Sequence, residues 1–178
     1  MKRELPKFKY HPDPICTEAI KKVDEPQVCE CCGKKTEYVY DGPFFAEDDV
    51  ECLCPWCIAD GSAAKKFDGS FKGIYSSEKL DDPDKVDELI HRTPCYCSWQ
   101  HEVWLTHCND YCAFVGYVGM DELEKMGLAD RLEEIYRKDE ARFDIEDIRE
   151  CMTNNGSMQG YLFRCLHCGK YQLYADCD

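Results

Sequence analysis

The sequence predicts an α+β fold of small β-hairpin modules joined by short helices, and three observations predict it. Cysteines recur as Cys-x₂-Cys pairs at Cys29/Cys32, Cys54/Cys57 and Cys165/Cys168. Short runs rich in aromatic and β-branched residues flank these pairs, as strands do. Acidic stretches with apolar residues three and four apart lie between them, the spacing of one helix face.

Residues 1–28 read as an irregular arm. Pro6, Pro12, Pro14 and Pro26 keep it extended or turning, with Phe8, Tyr10 and Ile15 as anchors. TEYVYDG (36–42) reads as a strand closed by Asp41-Gly42-Pro43, and PFFA (43–46) as the start of a second. A helical turn is expected from Ser62. Asp81 or Asp82 caps a helix with Pro83 in its first turn, which runs through Val86, Leu89 and Ile90 and stops at Pro94. Residues 95–119 are dense in aromatics, and Trp99, Trp104, Tyr111, Phe114 and Tyr117 are expected as core around a metal site. Three helices follow within 120–151: MDELEKM ended by Gly127, LADRLEEIYRKD (128–139), and one begun by Asp144. GYLFRC (160–165) and KYQLYADC (170–177) read as two strands joined through Cys165-Leu-His-Cys168-Gly169. The chain is expected as one compact domain over 1–178, with submodules 29–57 and 95–178.

Fifteen cysteines in 178 residues mean either an oxidised secreted scaffold or a metal-binding protein. The start, MKRELPKFKYHPDP, carries no apolar signal stretch, and no run approaches the roughly 18 apolar residues of a membrane span. A reducing, cytoplasmic compartment and no membrane are expected, and with them bound metal. The odd cysteine total also fits a complete disulfide framework poorly.

Cys29-x₂-Cys32-Gly33 and Cys54-x₂-Cys57 have the spacing of a structural zinc site. Two intervening residues let both thiolates of a pair face one ion, and the glycine tolerates a positive φ after the turn. Four thiolates fill the tetrahedral shell, so Cys29, Cys32, Cys54 and Cys57 are expected to bind one zinc. Cys31 and Cys52 are left out because the two-residue spacing favours their neighbours. Cys165/Cys168 is a second half-site, and Cys108-x₃-Cys112 is the expected partner because one helical turn brings both sulfurs to one side. Cys95-x-Cys97, or a histidine from His101, His107 or His167, are the alternatives. Two zinc ions per chain and zinc-ribbon-like modules follow.

Other motifs fail. His101-Glu102 would open HExxH, but Leu105 stands where the second histidine belongs. No nucleophile elbow, phosphate loop or dinucleotide loop is present. Cys16, Cys31, Cys52, Cys95, Cys97, Cys151 and Cys177 remain as small, buried apolar side chains. Trp56 reads as core rather than as a base-stacking platform.

The charge is −14, from 36 acidic and 22 basic residues. That field repels phosphate and argues against nucleic acid as partner; it suits a basic protein partner. The basic doublets Lys34-Lys35 and Lys65-Lys66 are weak grounds for a nucleic-acid patch. No small-molecule ligand can be read from the sequence.

The motifs together carry a family likeness: PKFKYHPDP (6–14), CECCG (29–33), CPWCIADGSAAKKFDG (54–69), TPCYCSWQHEVWLTHCNDYCAFVGYVG (93–119) and GYLFRCLHCGKYQLYAD (160–176). With them the chain resembles the CbrC family, bacterial proteins linked by name to colicin E2 tolerance. The resemblance implies that Cys108 and Cys112 are retained positions and that Cys95, commonly glycine in the family, is no ligand. It supplies no reaction and no catalytic residue. The expected function is therefore that of a zinc-stabilised interaction protein in stress or toxin tolerance. A cysteine-based enzyme or thiol-redox protein and a nucleic-acid-binding zinc protein are the competing readings.

Overall fold

The computed structural model describes residues 3–73, 80–137 and 143–178. The described residues form seven strands in small antiparallel sheets and six α-helices, an α+β fold. They divide into two compact units, residues 1–97 and 98–178.

The first unit opens with a hairpin of β1 (Ile20–Val28) and β2 (Lys35–Tyr40), joined through the first cysteine knuckle. Residues 20–28 are thus a strand rather than part of an irregular arm. Pro26 masked it: without an N–H it cannot join a ladder, and the register slips between Lys22 and Gln27, where the strand bulges around it. PFFA makes only an isolated bridge, Phe45 to Ser70. Two short helices follow, α1 (Pro55–Ala59) and α2 (Ser62–Phe67). The helix α3 (Pro83–Arg92) starts as its sequence requires, with the Asp82 carboxylate accepting from the N–H groups of Asp84 (3.2 Å) and Lys85 (3.4 Å). The core joins Phe8, Ile20, Tyr40, Leu53, Ile58 and Phe71, and it also contains Cys29, Cys54 and Cys57. Phe8 and Tyr10 anchor the arm as expected, whereas Ile15 is exposed.

The second unit begins with a tight hairpin, β3 (Thr106–His107) and β4 (Asp110–Tyr111), and continues into β5 (Ala113–Val118). Cys108 and Asn109, at φ 53° and 55°, form its two-residue turn. Two left-handed residues in succession are the signature of a type I′ hairpin. The helices α4 (Met120–Lys125), α5 (Leu132–Ile135) and α6 (Ile145–Cys151) follow. The Glu122 carboxylate accepts from the N–H of Gly119, and Gly127 at φ 68° ends the α4 segment. The second expected helix, 128–139, is shorter: a 3-10 turn at Ala129–Arg131 leads into α5, and Tyr136 is already extended and bridges Leu173, while 138–139 lie outside the described residues.

β5, β6 (Met158–Arg164) and β7 (Tyr171–Cys177) make a three-stranded antiparallel sheet. One face packs Leu162, Leu173 and Ala175 against Leu123, Leu132, Ile135 and Ile148 from the helices. The other carries interlocked aromatic rings: Phe114, Phe163, Tyr161 and Tyr174, with Trp104 edge-on to Phe163. A sheet buried on both faces explains why Gln172 and Tyr174 are buried despite alternating with Leu173. Trp99, expected in this core, is half exposed.

Candidate metal centres

The two knuckles are built alike because both read Cys-x₂-Cys-Gly-Lys. In the first, the N–H of Gly33 donates to Cys29 O (2.7 Å) and the N–H of Cys29 to Lys34 O (2.9 Å). In the second, the N–H of Gly169 donates to Cys165 O (3.1 Å) and the N–H of Cys165 to Lys170 O (2.8 Å). Both turns close on a glycine in the left-handed region, at φ 70° and 72°, where a side chain would add strain. Each turn joins two strands, β1 to β2 and β6 to β7, so strand pairing fixes where its sulfurs lie.

The first half-site meets its complement at the start of α1. Cys54 caps that helix, Pro55 takes its first position, and Cys57 lies one turn on. The donor atoms of Cys29, Cys32, Cys54 and Cys57 lie within 4.8 Å of one another. The Cys29–Cys57 and Cys32–Cys54 sulfurs are 3.9 and 4.0 Å apart. Ligands about 2.3 Å from a tetrahedral ion sit about 3.8 Å from each other, whereas a disulfide needs about 2.05 Å. The quartet therefore has the dimensions of a metal shell.

Its electrostatics favour one thiolate from the start. The Cys54 thiol hydrogen-bonds Cys29, and backbone N–H groups of Cys32, Cys54 and Cys31 help, against burial; together they pull Cys29 down to about 4. Cys54 is pushed up in return, and burial first of all pushes Cys57 up to about 12. A cation entering this site must therefore displace protons, which makes its binding pH-dependent. Lys66 closes the back of the knuckle by donating to the carbonyls of Glu30 (2.6 Å) and Cys31 (3.1 Å). Cys31 itself turns toward the Ser62 hydroxyl at 3.5 Å, outside the quartet. Cys52 is buried beside it and is likewise outside. Lys34 and Lys35 line a cleft of about 290 Å³ with Arg3, Trp56, Cys32 and Cys54, and the Arg3 guanidinium covers the Trp56 ring at 4.8 Å.

The second quartet is His107, Cys108, Cys165 and Cys168, again within 4.8 Å of one another. Cys112, the expected fourth ligand, is not among them, and His107 stands in its place. The reason is local backbone: a one-turn helix would bring Cys108 and Cys112 together, but the segment is a hairpin. Cys112 follows β4 into the core, its N–H donating to Leu105 O (2.9 Å) and its sulfur facing Gln172 Oε1 at 3.9 Å. The turn instead puts His107 Nδ1 3.1 Å from Cys108 Sγ and 3.3 Å from Cys168 Sγ. Cys108 holds a left-handed conformation that costs a non-glycine residue about 1 kcal/mol, a local strain at the point where the sulfurs gather. Cys95 and Cys97 belong to the first unit and enter neither quartet.

Burial opposes the Cys165 thiolate, but the N–H groups of Cys168 and His167 (3.5 and 3.4 Å), with His107, outweigh it and bring the thiol down to about 6. Desolvation and the adjacent Cys168 and Cys165 sulfurs push Cys108 up to about 11. Beside the quartet, His167 Nε2 pairs at 3.0 Å with the buried carboxylate of Asp110, which ties the knuckle to β4. Both quartets could hold a metal ion, and three or four soft sulfur donors with at most one imidazole are the set that zinc takes. No helix among the described residues is long and apolar enough to cross a membrane.

The family profile described as "Uncharacterised protein family (UPF0167)" matches residues 5–177. The chain is 42% identical over 178 residues to UPF0167 proteins of Mycobacterium bovis and Mycobacterium tuberculosis, spanning 98% of this chain and 94% of each relative. It is 38% identical over 183 residues to one of Pseudomonas aeruginosa, across 100% of this chain and 99% of the relative. No solved structure matches it significantly.

Proposed function

The chain belongs to the uncharacterised protein family UPF0167, and on that footing we propose that it is a zinc-stabilised protein whose two metal centres are structural and whose work is done by its surface. The observation that carries this is the closure of both quartets: four protein donors converge at each, Cys29/Cys32/Cys54/Cys57 and His107/Cys108/Cys165/Cys168. A catalytic zinc keeps a position for water or substrate; four protein ligands leave none. Elemental analysis of protein purified under reducing conditions tests it, with two zinc ions per chain expected. A chain that is folded and metal-free as isolated would refute it.

The surface role rests on charge. With two Zn²⁺ on seven thiolates and a neutral His107, the formal −14 becomes about −17. Such a field attracts a basic protein with steering that salt weakens. The sequence resemblance to the CbrC family supplies the setting, tolerance of stress or of a bacteriocin. Reciprocal capture of one basic partner at low salt, lost at high salt, is the expected result, and salt-indifferent or absent capture counts against it.

The competing readings find less support. A cysteine enzyme needs a depressed thiol outside the metal quartets. Cys16, hydrogen-bonded to Asp13, and Cys52, buried near the first quartet, are both pushed up instead. For nucleic acid, Lys66 is committed to the knuckle carbonyls, which breaks up its doublet with Lys65 and sets Lys34, Lys35 and Arg3 against a strongly acidic whole.

A further inference from the structure

The two quartets differ in how much water their sulfurs meet. In the first, Cys29, Cys54 and Cys57 are buried and part of the unit's core, and Cys32 alone is exposed. In the second, only Cys165 is buried; Cys108 and Cys168 are both exposed. The hydrogen bonds divide the same way. Cys165 Sγ accepts the N–H groups of His167 and Cys168, whereas Cys108 and Cys168 share His107 Nδ1, a nitrogen that a bound metal would occupy. A thiolate without backbone donors keeps its electron density and its nucleophilicity. Cys108 also sits strained at φ 53° on a hairpin turn whose two residues are both exposed.

We propose that Cys108 and Cys168 form a redox modification site, at which a two-electron oxidant of the peroxide class joins the two sulfurs and releases the second zinc while the first stays bound. The inference rests on the zinc reading above. One thiolate attacks a peroxide oxygen, the O–O bond breaks, and a sulfenic acid and a hydroxide result. The second thiolate attacks that sulfur, the S–S bond forms, and a second hydroxide leaves. Two electrons pass from the sulfurs to the peroxide, and two protons from solvent turn both hydroxides into water. Zinc is left with His107 and Cys165, two donors where it needs four, and dissociates.

The rest of the unit does not depend on this pair. The core of Leu123, Leu132, Ile148, Leu162 and Leu173 contains no ligand, so the unit stays folded and a thiol reductant reverses the change. In the first quartet Cys32 is the one exposed sulfur, and the Cys54 sulfur 4.0 Å from it belongs to the core, so joining them displaces a core side chain.

The test uses full-length protein loaded with zinc and counted before oxidation; fewer than two ions per chain overturns the zinc reading itself. With two present, a slight excess of hydrogen peroxide is added. Zinc release is followed with a chromogenic chelator, disulfides are mapped by non-reducing peptide mass spectrometry, and folding is followed by circular dichroism. The expected result is one equivalent released at least tenfold faster than the other, a Cys108–Cys168 disulfide in the fast phase, and unchanged secondary structure. Cys32→Ser should keep the fast phase, and Cys108→Ser should lose it. Release of both ions together, or a first disulfide anywhere else, overturns the proposal.

Discussion

Acid should weaken the first unit through one buried histidine. His11 is fully buried; its Nδ1 donates to the carbonyl of Pro94 at 2.7 Å, and Nε2 faces the Thr17 hydroxyl at 2.6 Å. A carbonyl only accepts, so Nδ1 carries the proton and Nε2 accepts from Thr17 in the neutral ring. Burial lowers the pKa from 6.5 to about 4, against the opposing pull of Pro94 and Asp13. A depressed histidine favours the neutral folded state. Its contribution is complete above pH 6.5 and is lost as pH falls toward 4, where the unfolded chain binds a proton that the folded chain refuses. At 1.36 kcal/mol per pKa unit the whole effect is about 3 kcal/mol, of which about 1 kcal/mol is gone by about pH 5.5.

Urea unfolding of zinc-loaded wild type and His11→Gln, at several pH values from about 7.5 to 4.5, isolates this contribution. Protonation of the metal ligands weakens both proteins alike and cancels in the difference. The wild-type advantage should shrink by 2 to 3 kcal/mol, about the full linkage, across that range. A difference flat to within about 0.5 kcal/mol would show that His11 is not held neutral, and the account of the buried arm would fail.

Three further outcomes follow from the site. Cys112→Ala should leave two zinc ions per chain, because its sulfur faces Gln172, while His107→Ala should lower occupancy of the second site only, as read by chelator competition. Gly33→Ala and Gly169→Ala should each weaken zinc retention about fivefold, the equivalent of about 1 kcal/mol of left-handed strain; Gly33 is the cleaner case, since an added Cβ meets nothing within 4 Å. Stripping both metals should abolish hydrogen-exchange protection in Ile20–Tyr40 and Pro55–Phe67 but leave β5–β7 protected, because ligands sit in the first core and not in the second.

The sequence was most legible where chemistry is local. Cys-x₂-Cys-Gly fixes a turn by itself, Asp82-Pro83 fixes a helix start, and Gly127 fixes a helix end, so these features stand where spacing put them. It was least legible where a partner decides. β1 was hidden by Pro26, and it is a strand because β2 lies beside it. His107 was obscured because Cys108-x₃-Cys112 suits a helix; the signal against a helix was Asn109, a residue that tolerates the left-handed turn. Trp99 shows the limit of composition, since an aromatic in a cysteine-rich run need not be core.

One knuckle serves two purposes according to what completes it. Where the second pair comes from a helix start, as at Cys54 and Cys57, the sulfurs are drawn inward with the apolar residues of α1, so a metal held there would be continuous with the core. Where the complement is a two-residue turn, the ligands stay at the tip of a hairpin, while helices and a doubly buried sheet hold the fold. A chain of 178 residues is long enough to fold without metal. That argument applies to each unit separately, however, and among the described residues the first draws three of its eleven buried core residues from the cysteine quartet. On the proposal of bound zinc, loss of metal should therefore unfold the first unit, whereas in the second it should free a turn and leave the fold standing.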